Sequence, residues 1–97
     1  MSLSRTFHVY ILASNSAVLY TGMTNGLARR IREHQEKQIP GFTKTYNVMK
    51  LVWFEAHGTA VSAIAREKQI KRWTRAKRIA LVAEFNPRWR DLSGEVR

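Results

Sequence analysis

The chain has 97 residues, with seventeen Lys and Arg against seven Asp and Glu, a formal net charge of +10 and a sequence pI near 11.0. This length suits one domain rather than a two-domain enzyme, the 44% hydrophobic content argues against disorder, and the lack of cysteine excludes disulfides, thiolate zinc sites and cysteine nucleophiles. With no membrane-length apolar run and no signal-peptide pattern, the expectation is a cytoplasmic, cationic domain whose partner is a polyanion, most simply nucleic acid, and not a membrane.

Phe7 to Ala13 (FHVYILA) is rich in β-branched and aromatic residues, as is Ala17 to Gly22 (AVLYTG). Ser14-Asn15-Ser16 between them is a turn, so the pair reads as a β-hairpin. A turn symmetric about Asn15 sets Tyr10 directly opposite Tyr20 on one face; a turn one residue longer would put the rings on opposite faces. Thr24-Asn25-Gly26 offers a helix start, and Leu27, Ile31 and His34 then recur at helical spacing. Pro40-Gly41 ends that helix or the coil after it. Val48 to Ala56 (VMKLVWFEA) is a third strand, apolar on both parities and so expected at the centre of the sheet. Thr59 caps a second helix to about Arg72, and Thr74 caps a third from Arg75 to about Phe85, stopped by Asn86-Pro87. The order ββαβαα predicts an α+β domain with a small three-stranded, mainly antiparallel sheet flanked by helices.

Four features carry chemistry. Arg66 to Arg78 (REKQIKRWTRAKR) packs seven cations around one acid, Glu67, which suits phosphate contact. Trp73 within it is either a stacking surface or a core anchor. Tyr10 and Tyr20, as a cross-strand pair, need mean no more than packing. Arg30 and His34, at i and i+4, project together from the border of the first helix's apolar stripe, and the guanidinium fork suits phosphate oxygens. Glu67 falls within the stripe Ala60, Ala63, Ile64, Ile70. Burying a carboxylate without a partner costs several kcal/mol, so Glu67 needs a basic side chain or a metal ion. Glu55 reads as a surface residue, and His8 and His57 as structural or surface residues.

These positions, in this order, resemble the GIY-YIG endonuclease superfamily. His8-Val9-Tyr10 stands where the family has its first tripeptide and Tyr20-Thr21-Gly22 where it has the second. Arg30 and His34 match the arginine and histidine of its following helix, Glu67 its metal-binding glutamate, and Asn86 a polar residue near its end. The Gly41-Phe42-Thr43 and Tyr46 stretch, with Asn86-Pro87 and Trp89, is similar to the short, stand-alone bacterial YhbQ-like branch. His8, Val9 and Thr21 depart from the family pattern and spare both tyrosines. The resemblance runs from about Thr6 to Leu92 and implies one nuclease domain over residues 1–97.

It further implies hydrolysis of phosphodiester bonds in DNA, in repair, recombination or processing, with one Mg²⁺ or Mn²⁺ on Glu67. Arg30 would stabilise the charge added at phosphorus. Tyr10 would position or deprotonate water if nearby cations lower its pKa, with Tyr20 on the phosphate or on Tyr10 and His34 as orienting group or alternative acid or base. Lys44 and Tyr46 would line the edge of the site and Asn86 close it, while Lys68, Lys71, Arg72 and Arg75 grip the backbone. A non-catalytic nucleic-acid binder on the same fold is the alternative; a basic protein-interaction domain is a third reading.

Overall fold

A computed structural model describes residues 6–36 and 50–96. Strands β1 (Phe7–Ala13), β2 (Leu19–Thr24) and β3 (Lys50–His57) form an antiparallel sheet in the order β2-β1-β3. Helix α1 (Leu27–Gln35) lies between β2 and β3, helices α2 (Ala60–Lys71) and α3 (Arg75–Phe85) come after β3, and a 3₁₀ turn at Ser93–Glu95 lies near the C-terminus.

The strands form where β-branched and aromatic residues cluster, and both faces of the sheet are covered. On one face Val9, Ile11, Val52 and Trp53 pack with Ala63 and Ile70 of α2 and Val82 of α3. On the other, Tyr10, Leu12 and Leu51 pack with Leu27 and Ile31 of α1 and with Leu92. A bulge between Ile11 and Leu12 in the β1–β3 register lets Val52 and Trp53, neighbours in sequence, both serve the first cluster.

Three sequence expectations are corrected. The central strand is β1, with β3 at an edge. Both strands are apolar on both parities, so that pattern reports two covered faces and leaves strand order open. The exposed side of β3 is closed by the C-terminal segment: Leu92 N–H donates to Leu51 O (2.8 Å) and Leu51 N–H to Asp91 Oδ1 (3.1 Å), a way of blunting an edge.

The hairpin register also differs, pairing Tyr10 with Gly22 and Leu12 with Tyr20. The loop is Asn15-Ser16-Ala17, with Ala17 at φ 62° and its N–H donating to Ser14 O (3.0 Å). This is the three-residue loop that ends in a left-handed residue. Its centre lies one residue beyond Asn15, which moves the pairing by two. Because side chains alternate with period two, both tyrosines stay on one face.

The third correction is Ile64. It is 39% exposed, while Ala63 and Ile70 are buried, so the α2 stripe follows 63, 67, 70 and Glu67 lies within it.

Both later helices begin as the sequence predicts. Thr59 Oγ1 accepts from Ser62 N–H (3.1 Å) and Thr74 Oγ1 from Lys77 N–H (3.2 Å), each satisfying one orphan helix donor. Helix α1 starts from Gly26 without a side-chain cap, and Thr24 belongs to β2. Trp73 is a core anchor: it packs against the first cluster, with Arg66 at 5.2 Å and Lys77 at 4.4 Å from its ring centre.

Candidate active site

Tyr10 lies on the central strand, Tyr20 on β2 and His34 in the last turn of α1. Leu27 and Ile31 bury one face of α1 against the sheet, and the helical period carries His34 onto that same face. The three rings meet there. Tyr20 and His34 have centroids 5.1 Å apart, Tyr10 and His34 6.0 Å, and Tyr10 and Tyr20 6.3 Å. Tyr10 Oη lies 3.1 Å from His34 Nε2. Tyr10 and His34 are each 1% exposed, whereas Tyr20 is half-buried, so Tyr20 is the outer member of the set.

Gly22 is what lets the Tyr10 ring lie so close. A Cβ at Gly22 would stand 2.5 Å from Tyr10 Oη and 2.6 Å from Cζ, inside van der Waals contact. Gly22 lies outside the sequence-predicted site, although its signal is there in Tyr20-Thr21-Gly22, a glycine in a strand where another group approaches.

Arg30 on α1 and Glu67 on α2 come from different elements, and their charges act on Tyr10 in opposite senses. The Arg30 side chain is about one-third exposed, with Nε 3.7 Å from Glu33 Oε1. At that separation neither atom has a hydrogen-bond partner among the described residues. The Glu67 side chain is 21% exposed and meets Lys71 Nζ at 3.6 Å, so the partner the sequence demanded is a loosely held lysine.

Burial sets the titration of the inner pair. It raises the Tyr10 pKa above the ordinary 10; Tyr20 and Glu67 add to the rise, and Arg30 opposes it. The expectation that cations lower Tyr10 into a usable base is therefore corrected: desolvation outweighs Arg30. Burial, then Arg30, lowers His34 from 6.5 to about 4, against a raising effect of Glu33. His34 is a neutral imidazole near pH 7.

No group of three or more His, Cys, Asp or Glu side chains among the described residues is arranged to hold a metal. Glu67 offers one hard carboxylate. Such a donor fits Mg²⁺ or Mn²⁺, which keep water and substrate phosphate as most of their ligands, and does not fit a protein-caged zinc.

The other expected contacts divide. Lys68, Lys71 and Arg72 are exposed along α2 and its C-terminus. Arg75, also exposed, donates through Nη2 to Ala17 O at 2.5 Å, which ties α3 to the hairpin loop. Asn86, expected as a nucleic-acid contact, has its side-chain amide committed to the backbone. It is 5% exposed, Nδ2 donates to Val52 O (3.1 Å) and Arg90 O (2.9 Å), and Oδ1 accepts from Arg90 N–H (3.1 Å). Lys44 and Tyr46 lie outside the described residues. Glu55, read as a surface residue, is half-buried and holds His57 Nε2 (2.7 Å) and Arg66 Nε (3.1 Å).

The family model of the GIY-YIG catalytic domain matches residues 6–80. A UPF0213 protein of Haloquadratum walsbyi is 38% identical over 77 residues, covering 79% of this chain and 86% of that protein. One of Staphylococcus aureus is 34% identical over 76 residues, covering 78% and 93%. The solution NMR structure of a UPF0213 protein from Bacillus halodurans superposes with a TM-score of 0.59 at 27% identity, over 89% of this chain and 92% of the other.

Proposed function

The chain belongs to the GIY-YIG catalytic-domain family, a nuclease family, and on that footing we propose that it is a divalent-metal-dependent endonuclease hydrolysing phosphodiester bonds in DNA. A place in DNA repair, recombination or processing follows from that chemistry. The observation that carries the reading is the convergence of the Tyr10, Tyr20 and His34 rings, with Arg30 one helical turn from His34 on α1.

Each residue has a role its surroundings support. Arg30, loosely held by Glu33, binds the scissile phosphate and stabilises the charge added as water attacks. Tyr20, the outer hydroxyl, orients the water or a phosphate oxygen, and Tyr10 fixes Tyr20 from behind. His34, neutral at physiological pH, is the group with a lone pair to take a proton passed through Tyr10. A phosphate against Arg30 would offset the second of the two causes that depress the His34 pKa, burial being the first. Glu67 would hold Mg²⁺ or Mn²⁺, which supplies neutralisation of the phosphate and of the leaving oxygen. Lys68, Lys71 and Arg72 add backbone affinity that weakens with salt.

The test is nicking of supercoiled DNA with Mg²⁺ or Mn²⁺, beside linear, single-stranded and branched DNA and RNA. Wild type should nick DNA, and Glu67→Gln and Arg30→Ala should each slow nicking about 10²–10³-fold, with melting temperatures little changed. Undiminished nicking by Glu67→Gln would contradict the mechanism.

A further inference from the structure

Away from the tyrosine cluster, Phe54, Phe85, Asn86, Arg88, Arg90 and Leu92 line a cleft of about 310 Å³, near the lower bound of pockets that hold small ligands (roughly 300–1,000 Å³). Its floor is aromatic. Phe54 and Phe85 meet edge to face, centroids 5.5 Å apart and planes at 78°, and Phe85 remains 49% exposed at the last residue of α3. Its rim carries two exposed arginines, Arg88 and Arg90, against one carboxylate, Glu95. Arg90 Nη2 reaches Glu95 only at 4.0 Å, a surface pairing that leaves the guanidinium available.

The cleft is built and aimed. The Asn86 amide holds the Arg90 backbone from both sides and anchors it to Val52 O, so the wall bearing Arg90 is fixed to β3. Phe54 is the cross-strand partner of Tyr10 and packs in the same cluster as Tyr10 and Tyr20. Tyr20, Tyr10 and Phe54 thus occupy one sheet face on successive strands, a row about 10 Å across at the usual strand spacing. Tyr10 is buried in the middle of that row, with the half-buried Tyr20 and Phe54 at its two ends, so a strand with its phosphate at Arg30 and Tyr20 would have a neighbouring nucleotide within about a row's width of the cleft.

We propose that this cleft receives an unpaired base of the substrate strand, stacked on Phe85 and Phe54 with Arg88 and Arg90 on the flanking phosphates, so that the protein selects single-stranded or branched nucleic acid over continuous duplex. The inference rests on the nuclease reading only for the position of the scissile phosphate. A base offers its ring face to an aromatic side chain only when it is unpaired or flipped from the stack, while the arginines answer the phosphates on either side.

The experiment is fluorescence anisotropy of labelled single-stranded and duplex oligonucleotides of equal length, in chelator, so that binding is read without cleavage. Wild type should bind the single strand more tightly. Phe85→Ala, at an exposed position where the melting temperature checks the fold, should weaken single-strand binding about tenfold and leave duplex binding unchanged, and Phe85→Trp should restore it. Equal affinity of Phe85→Ala and wild type for the single strand, or equal losses on both forms, would overturn the proposal. The two readings fail separately. Strand-selective binding without metal-dependent nicking would sink the nuclease alone, and nicking without a selective loss in Phe85→Ala would sink the cleft alone.

Discussion

At the scale of single residues, the buried pair Tyr10 and His34 has a measurable consequence for stability. His34 titrates at about 4 in the fold against 6.5 as an ordinary imidazole. Between those values the unfolded chain takes up a proton that the fold refuses. The contribution is therefore complete above about pH 6.5 and is lost as pH falls toward about 4, with a ceiling of about 3 kcal/mol. Melting curves should show wild type losing stability across that window and His34→Gln losing less; parallel profiles would contradict the assignment. The sequence indicated His34 through its place beside Leu27 and Ile31. It gave no means of weighing burial against Arg30 at Tyr10, because desolvation depends on packing from Leu92 and Phe54, far along the chain. For the same reason the sequence does not show that the Asn86 amide is committed to Val52 and Arg90, which meet it only once β3 and the C-terminal segment are side by side.

Among elements, the hairpin shows what a pattern decides and what it leaves open. Alternation keeps Tyr10 and Tyr20 on one face under a shift by two and would part them under a shift by one, so their shared face depends on the parity of the turn. The register itself was hidden because the left-handed residue of the loop is Ala17, where glycine would have marked the turn. The actual register brings Gly22 opposite Tyr10, and the missing side chain becomes the space for the phenol ring. Gly22→Ala should cost about 1–3 kcal/mol by overpacking, lower the melting temperature by several degrees or more, and impair nicking. A variant as stable as wild type would show that the ring can move aside. The caps at Thr59 and Thr74 were legible because a capping hydroxyl acts within three residues of itself. Strand order was not, because it depends on which partners meet across the whole sheet.

For the molecule as a whole, the +10 charge acquires a layout. Arg66 is spent on Glu55 and Trp73, Lys77 packs over Trp73 and Arg75 holds the hairpin loop. Lys68, Lys71 and Arg72 remain exposed beside Glu67, and Arg88 and Arg90 beside the aromatic cleft. Among the described residues no helix is long and apolar enough to cross a membrane. The central claim is that the single carboxylate of Glu67 and the cluster of Tyr10, Tyr20, Arg30 and His34 form one phosphodiester site. The most direct measurement is paramagnetic broadening by Mn²⁺, in NMR spectra of the protein bound to a cleavage-resistant oligonucleotide. The signals of Glu67, Tyr20 and Arg30 should broaden first, and Glu67→Gln should abolish the effect. Broadening centred on Glu55 and His57, or persisting in Glu67→Gln, would contradict it.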